Sequence, residues 1–467
     1  MHWGCTKSHI TLTKPSTAPA RPPLSQLIIY AIGQLGWSLA AYGAANLLVY
    51  FYLPPEDATQ ASFPPFIYQG AILGVATVIG FINFGGRIFD AITDPLIAAW
   101  SDRRSPQGGK RKKVLAIAAL PFAALSFLIF FPLTPGLSTL NTLWLIATVF
   151  LFYFFLTLYV VPYTALISEL GHYGPDRMRI STLISITWAL GFVIGGTAYG
   201  LKDYFSQFTD AVTAFQWAIG IFALIALIFM LVPVFFLQET RYAQQLTQAP
   251  ISPWESLRIV FRVKDFRLFI ASDLFYWLAL TFIQQGISFY VVTLFELPEA
   301  QATVFLTISF LVSFACYWPI NLAVKRFGKR PVLLSAFLVF SLTFALTGAM
   351  HWLKLPRVPL FYALALLSAY PLAAFGIVPN ALVADFIEAH AQRTGSQQAG
   401  MFYAVRNFMM KIGIGLSLLI FPSLLLLGKS VDNPRGVVLS ALVACGFCII
   451  GYLTFRKVKI DDYKSAD

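Results

Sequence analysis

Phe84-Gly-Gly-Arg87-Ile-Phe-Asp90-Ala-Ile-Thr93-Asp94-Pro-Leu-Ile-Ala-Ala-Trp-Ser-Asp102-Arg103-Arg104 is the stretch on which the reading of this chain turns. At roughly 100° per helical residue, Asn83, Arg87, Asp90 and Asp94 fall within an arc of about 60° and form one polar stripe. The flanks, 71–80 and 114–131, are apolar enough to sit in lipid, so two carboxylates and a guanidinium lie within or at the edge of a bilayer. Each such charge costs roughly 2.5–3.5 kcal/mol at the bilayer centre on insertion scales. Arg87 can lock onto one aspartate, yet the second carboxylate then stays uncompensated, and ionisable residues at membrane depth mark ion or solute pathways.

Composition agrees with that placement. Hydrophobic residues make up 58% of the 467-residue chain and charged residues 12%, with a mean hydropathy of +0.72. A soluble domain carries about twice that charged fraction. Apolar runs long enough to span, about 20 residues each, lie at 26–52, 67–100, 114–133, 140–169, 181–201, 212–238, 268–295, 302–324, 332–352, 358–384, 401–427 and 436–456. The expected fold is therefore an all-α integral membrane protein of twelve transmembrane helices. Met1 to Pro23 is polar and reads as a cytoplasmic tail, because the first apolar run is too long for the core of a cleavable signal.

The net charge of +12 has to be located before it is interpreted. With the N-terminus inside, Arg103, Arg104, Lys110 to Lys113, Arg177, Arg179, Arg241, Arg258, Arg262, Lys264, Arg267, Lys325, Arg326, Lys329, Arg330 and Arg393 are all cytoplasmic. The opposite side keeps Lys202, Lys354, Arg357, Lys429 and Arg435. The basic residues thus set topology, with both termini cytoplasmic in a plasma membrane, and nucleic acid is not expected as a partner.

Residues 239–266 divide the chain into a bundle at 24–238 and a second at 267–456, with tails at 1–23 and 457–467. The two halves echo each other. Gly109-Lys-Arg111 returns as Gly328-Lys-Arg330 and Val161-Pro-Tyr163 as Val378-Pro-Asn380, at offsets of 219 and 217 residues. Two echoes at nearly one offset argue for duplicated six-helix halves, the pattern of an alternating-access transporter with its site between the halves at mid-membrane.

A second polar stripe lies in the eleventh segment, where Tyr403, Asn407 and Lys411 recur every four residues with Arg406 beside them. If the halves face each other, Lys411 is the natural partner for Asp90 and Asp94, and with Arg87 the four charges cancel. A small cation sharing the two carboxylates would loosen Lys411, so occupancy would change the barrier between open and closed states. Thr93 and Thr157 supply uncharged oxygens for a hard monovalent cation; a proton would serve instead if desolvation raised one carboxylate. The coupling ion is left open between sodium and a proton, and no other cofactor or metal is expected.

Phe89-Asp-Ala-Ile-Thr-Asp-Pro95, followed by Ser101-Asp-Arg-Arg104 and Gly109-Lys-Arg111, resembles the signature of the glycoside–pentoside–hexuronide:cation symporters, the melibiose-carrier-like branch of the major facilitator superfamily. Weaker likeness over 157–179 and 384–411 extends it to both halves. The resemblance implies a major facilitator fold of two pseudo-symmetric bundles. It also implies a cation held by Asp90 and Asp94 with help from Thr93 and Thr157, and a charged partner at Lys411. The sugar-binding positions of the melibiose carrier fall here at Val160, Thr164 and Ile184, so the cation half of the pattern is kept and the galactoside half is not.

The expected function is secondary active, cation-coupled symport of a small solute, a glycoside or related sugar by family, by a chain that is monomeric and not an enzyme. Two alternatives stand beside it. One is a sodium-coupled carrier of lysolipid or another amphipathic solute on the same fold, and the other a non-transporting membrane enzyme or scaffold. Candidates to line the solute cavity are Asn83, Tyr159, Tyr163, Trp188, Gln285, Tyr403 and Asn407. Asp102, Arg103, Arg104, Lys325 and Arg326, with Glu169, Asp385 and Arg393 as counterparts, read as cytoplasmic gate contacts at helix ends. Cys445 and Cys448 lie in an apolar helix as packing residues, and the absence of a Gly-Lys-Ser/Thr loop argues against ATP-driven transport.

Overall fold

The computed structural model describes residues 20–55, 63–72, 76–104, 110–171, 174–243, 263–353, 356–394 and 399–459. Its first half contains α1 (Leu24–Tyr42) running through a π-turn into α2 (Leu48–Tyr52), α3 (Val78–Arg104), α4 (Lys110–Leu128) and α5 (Thr139–Leu170). There follow α6 (Gly174–Gly196), α7 (Ala198–Phe205), α8 (Ala211–Phe236) and a short α9 (Glu239–Tyr242). The second half holds α10 (Lys264–Phe289), α11 (Gln301–Phe327), α12 (Lys329–Leu353), α13 (Arg357–Thr394), α14 (Ala399–Leu425) and α15 (Arg435–Phe455).

Among the described residues, ten helices are long and apolar enough to cross a membrane. Helices α3 and α4 stand in the same bundle but fall short on composition. The cause in α3 is the stripe of Arg87, Asp90 and Asp94, and in α4 the opening Lys110-Arg-Lys-Lys113. The second apolar run also begins differently from its sequence reading. Ala71–Ile72 pairs antiparallel with Ala76–Thr77, and the helix starts only at Val78. Gly70 before the hairpin and the β-branched Ile72 and Thr77 within it favour extended backbone there over helix.

Within the first half α1 packs on α6 and α8, and α4 on α5; within the second, α10 packs on α15 and α11 on α13. The halves meet chiefly where α3 lies along α14. Small residues allow that approach: a Cβ on Gly415 would sit 3.3 Å from Arg87 Cβ and 3.4 Å from Phe84. On the other flank of α3, a Cβ on Gly86 would stand 2.6 Å from the Tyr153 ring, so α3 is pressed between α5 and α14. Prolines at 162 and 379 occupy the corresponding places in α5 and α13. Each removes a backbone donor, which is tolerable in lipid only where neighbouring helices cover the freed carbonyl.

Candidate functional site

The α3 stripe and the α14 stripe meet at the seam. Lys411 Nζ lies 2.8 Å from Asp90 Oδ2 and 2.5 Å from Asp94 Oδ2, so one ammonium bridges both carboxylates. Asp90 also accepts from Arg87 Nη1 at 3.2 Å and from Thr157 Oγ1 at 2.8 Å. Thr93 Oγ1 sits 3.3 Å from Thr157 Oγ1 and donates back to the Phe89 carbonyl at 3.0 Å. Four residues on α3 and α5 thereby gather their oxygen atoms beside the Lys411 ammonium of α14, with the Arg87 guanidinium next to Asp90. Arg87 in turn lies over the Tyr153 ring, 5.3 Å from its centroid.

Accessibility divides the two acids. The Asp90 side chain is wholly buried, whereas that of Asp94 is 33% exposed and that of Lys411 14%. Asn407 and Tyr403, one and two turns toward the face that carries the chain termini, are exposed. They share a helix face with Lys411, and exposure falls from Tyr403 and Asn407 through Asp94 to the wholly buried Asp90.

Other sequence candidates are placed elsewhere. Tyr159 and Tyr163 turn into the first bundle, where their hydroxyls donate to the Met230 and Tyr30 carbonyls, so neither lines the seam. The Trp188 ring is half-buried and packs on Phe192 with centroids 4.3 Å apart. Gln285 is buried, its amide nitrogen 3.5 Å from the Thr281 carbonyl on its own helix. Asn83 is also buried, and neither atom of its amide has a partner. At the three positions where the sugar-site residues are absent, Val160 and Ile184 are half-buried and Thr164 is exposed, with its hydroxyl donating to Val161 O at 3.0 Å.

Among the described residues, the helix-end acids Glu169 and Asp385 each pair within their own half. Glu169 binds Arg111, 2.6 Å away, and Asp385 binds Lys329 at 2.6 Å. Glu239 caps α4, accepting from the Arg111 and Lys112 backbone amides at 3.2 and 3.0 Å. Lys325 and Arg326 are exposed at the end of α11. Asp102, Arg103, Arg104 and Arg393 have side chains outside the described residues. One charged cluster went unnoticed in the sequence: Arg406 donates to Asp273 at 2.9 and 3.2 Å and to Asn380 at 2.6 Å, all on the second half. An aspartate inside the seventh apolar run was the available signal.

A family model described as MFS/sugar transport protein matches residues 29–455. The chain belongs to that family. The transporter is 22% identical to the sodium-dependent lysophosphatidylcholine symporter 1 of Xenopus tropicalis, over 84% of this chain and 77% of that one. It is equally, 22%, identical to the isoprimeverose transporter of Lactiplantibacillus pentosus, over 98% of this chain and 95% of that one. Among solved structures, a D-xylose–proton symporter superposes with a TM-score of 0.68 at 12% identity, covering 93% of this chain and 97% of the other. The nucleoside transporter NupG, as its D323A mutant, superposes at 0.67 and 15% identity, covering 93% and 99%. These likenesses establish the major facilitator fold and a transporter in place of an enzyme. The family and its named symporters make the activity cation-coupled symport of a solute.

Proposed function

We propose that the transporter binds its coupling cation between Asp90 and Asp94, with Thr93 and Thr157 completing the oxygen set, and that Lys411 fills this place when the cation is absent. The observation that carries the reading is the Lys411 ammonium between the two carboxylates, drawn from the opposite half of the molecule. A cation entering from the more exposed Asp94 side displaces the ammonium and removes the tie between α3 and α14, so occupancy and the relative position of the halves become linked. Sodium suits the set, since hard cations take carboxylate and hydroxyl oxygens. The chain works as a monomer in the plasma membrane, both termini on the cytoplasmic side, where the basic residues accumulate.

For the cargo, an amphipathic solute with one polar head is favoured over a bare sugar. A sugar needs several buried donors and acceptors around its hydroxyls. Here the hydroxyls of Tyr159, Tyr163 and Thr164 already bond to backbone carbonyls. Val160 and Ile184 offer apolar surface, and beyond the charged cluster the polar groups near the seam among the described residues include Tyr403, Asn407 and the unpartnered amide of Asn83.

Purified transporter in liposomes, given an inward sodium or proton gradient, is expected to accumulate lysophosphatidylcholine in preference to a pentose glycoside. Asp94→Asn is expected to abolish accumulation while leaving the protein folded. An Asp94→Asn transporter that concentrates solute like the parent would remove the coupling role. Preferential glycoside uptake would reverse the cargo assignment alone.

A further inference from the structure

At the face remote from the termini, the halves are joined by a buried ion pair that the cation site does not use. Lys202, near the end of α7, bonds to Glu299 Oε2 in the loop before α11, and both side chains are 5% exposed. The lysine also reaches Tyr50 OH at 3.3 Å and its own neighbour Asp203 at 3.1 Å, and lies 6.0 Å from the Phe63 ring centroid. Lys202, Asp203, Tyr50 and Phe63 belong to the first half, and Glu299 to the second. Around the pair the backbones are stitched together: Thr303 Oγ1 donates to the Gly196 carbonyl at 2.7 Å and accepts from the Gly200 amide at 3.3 Å. Lys429 Nζ reaches from the second half to the Pro54 carbonyl at 2.8 Å.

The geometry points to Lys202–Glu299 as the latch that holds the far side shut and that must break for the far side to open. The inference rests on the alternating-access reading above. Its two members have unequal prospects on opening. Lys202 keeps Asp203, which is 32% exposed on the same half, so the lysine changes partner as it separates and is never left alone. Glu299 leaves Lys202 and Tyr50 behind together and must be met by water. Burial already raises the Glu299 carboxyl above the ordinary range, with Lys202 opposing that shift. The closed state thus depends on the lysine to make the buried carboxylate tolerable. Removing the lysine alone leaves a buried carboxyl that the closed seam holds only by protonating or hydrating it, while removing both leaves none.

The test is thiol labelling, which needs no solute and so fails or succeeds separately from the symport reading. In a background with Cys5, Cys316, Cys445 and Cys448 replaced, Ser288→Cys places one thiol on α10 behind the latch. Ser288 is fully buried there and faces Tyr199 of the first half. Cells or right-side-out vesicles are treated from outside with a membrane-impermeant maleimide. Lys202→Met is expected to raise the labelling rate about tenfold or more, and Lys202→Met with Glu299→Met to bring it back to the parent rate. The double variant carries no unpaired buried charge, so it also serves where the single variant inserts poorly. Parent-like labelling in Lys202→Met, or a double variant as reactive as the single one, would overturn the latch.

Discussion

The two halves hold the same turn of backbone with opposite chemistry. In the first, Tyr163 of the Val161-Pro-Tyr163 stretch stacks on Tyr30 with centroids 4.3 Å apart, and each hydroxyl donates to the other residue's carbonyl. In the second, Asn380 of Val378-Pro-Asn380 accepts from Arg406, which is clamped on Asp273. Neutral rings satisfy one interior and a charge pair the other. At the α3–α14 contact the first half contributes Arg87, Asp90 and Asp94, one net negative charge, and the second Lys411, one positive charge. Each side of that contact therefore presents a charge that lipid disfavours, and the contact cancels it. On the proposed reading, a mobile cation substitutes for that contact between the halves.

The sharpest way to break this contrast is at Lys411. Lys411→Ala is expected to lower gradient-driven accumulation about tenfold or more while membrane expression changes little, read by transport assay against the amount of purified protein. The stability contrast comes next. Asp273→Asn leaves Arg406 buried without its counter-charge, and breaking such a pair costs roughly 3–5 kcal/mol. A clear fall in the thermal unfolding midpoint in detergent is expected, recovered when Arg406→Met is added. The helix-end pairs sharpen the comparison further, because Arg111 and Glu169 are 7% and 9% exposed and Lys329 and Asp385 are 26% and 29% exposed. Glu169→Gln is expected to lower the midpoint several times more than Asp385→Asn, whose solvated pair is worth about 1 kcal/mol or less. The smallest effect belongs to Tyr163→Phe. It removes one hydrogen bond, roughly 0.5–1.5 kcal/mol, and keeps the ring stack; a loss as large as that of Asp273→Asn would end the claim that this turn of the first half is held by neutral packing.

Much of this was legible because lipid leaves few options for a polar side chain. The helical spacing of Asn83, Arg87, Asp90 and Asp94, and that of Tyr403, Asn407 and Lys411, marked two stripes that had to find partners. The echo at 217 to 219 residues marked the halves. Aromatic residues were harder to read, since Tyr159 and Tyr163 carry hydroxyls suited equally to a solute or to a carbonyl of the next helix. Only the direction of each side chain separates those uses. Lys202 counted only among the charges opposite the termini and Glu299 stood out in no pattern, because nothing in the local sequence says that two such positions, 97 residues apart, close upon each other.

The chain's own sequence determined the membrane class, the two-bundle plan and the presence of intramembrane charges that do not cancel within their own helices. Apolar length and helical period are local properties, and they act before any packing occurs. Only the tertiary structure decided which charges meet: one lysine between two aspartates at mid-depth, an arginine satisfied inside its own half, and a lysine and glutamate sealing the far side. Coulomb attraction is strong at contact in a medium of low polarity and fades with distance, so its pairings follow from how the helices pack.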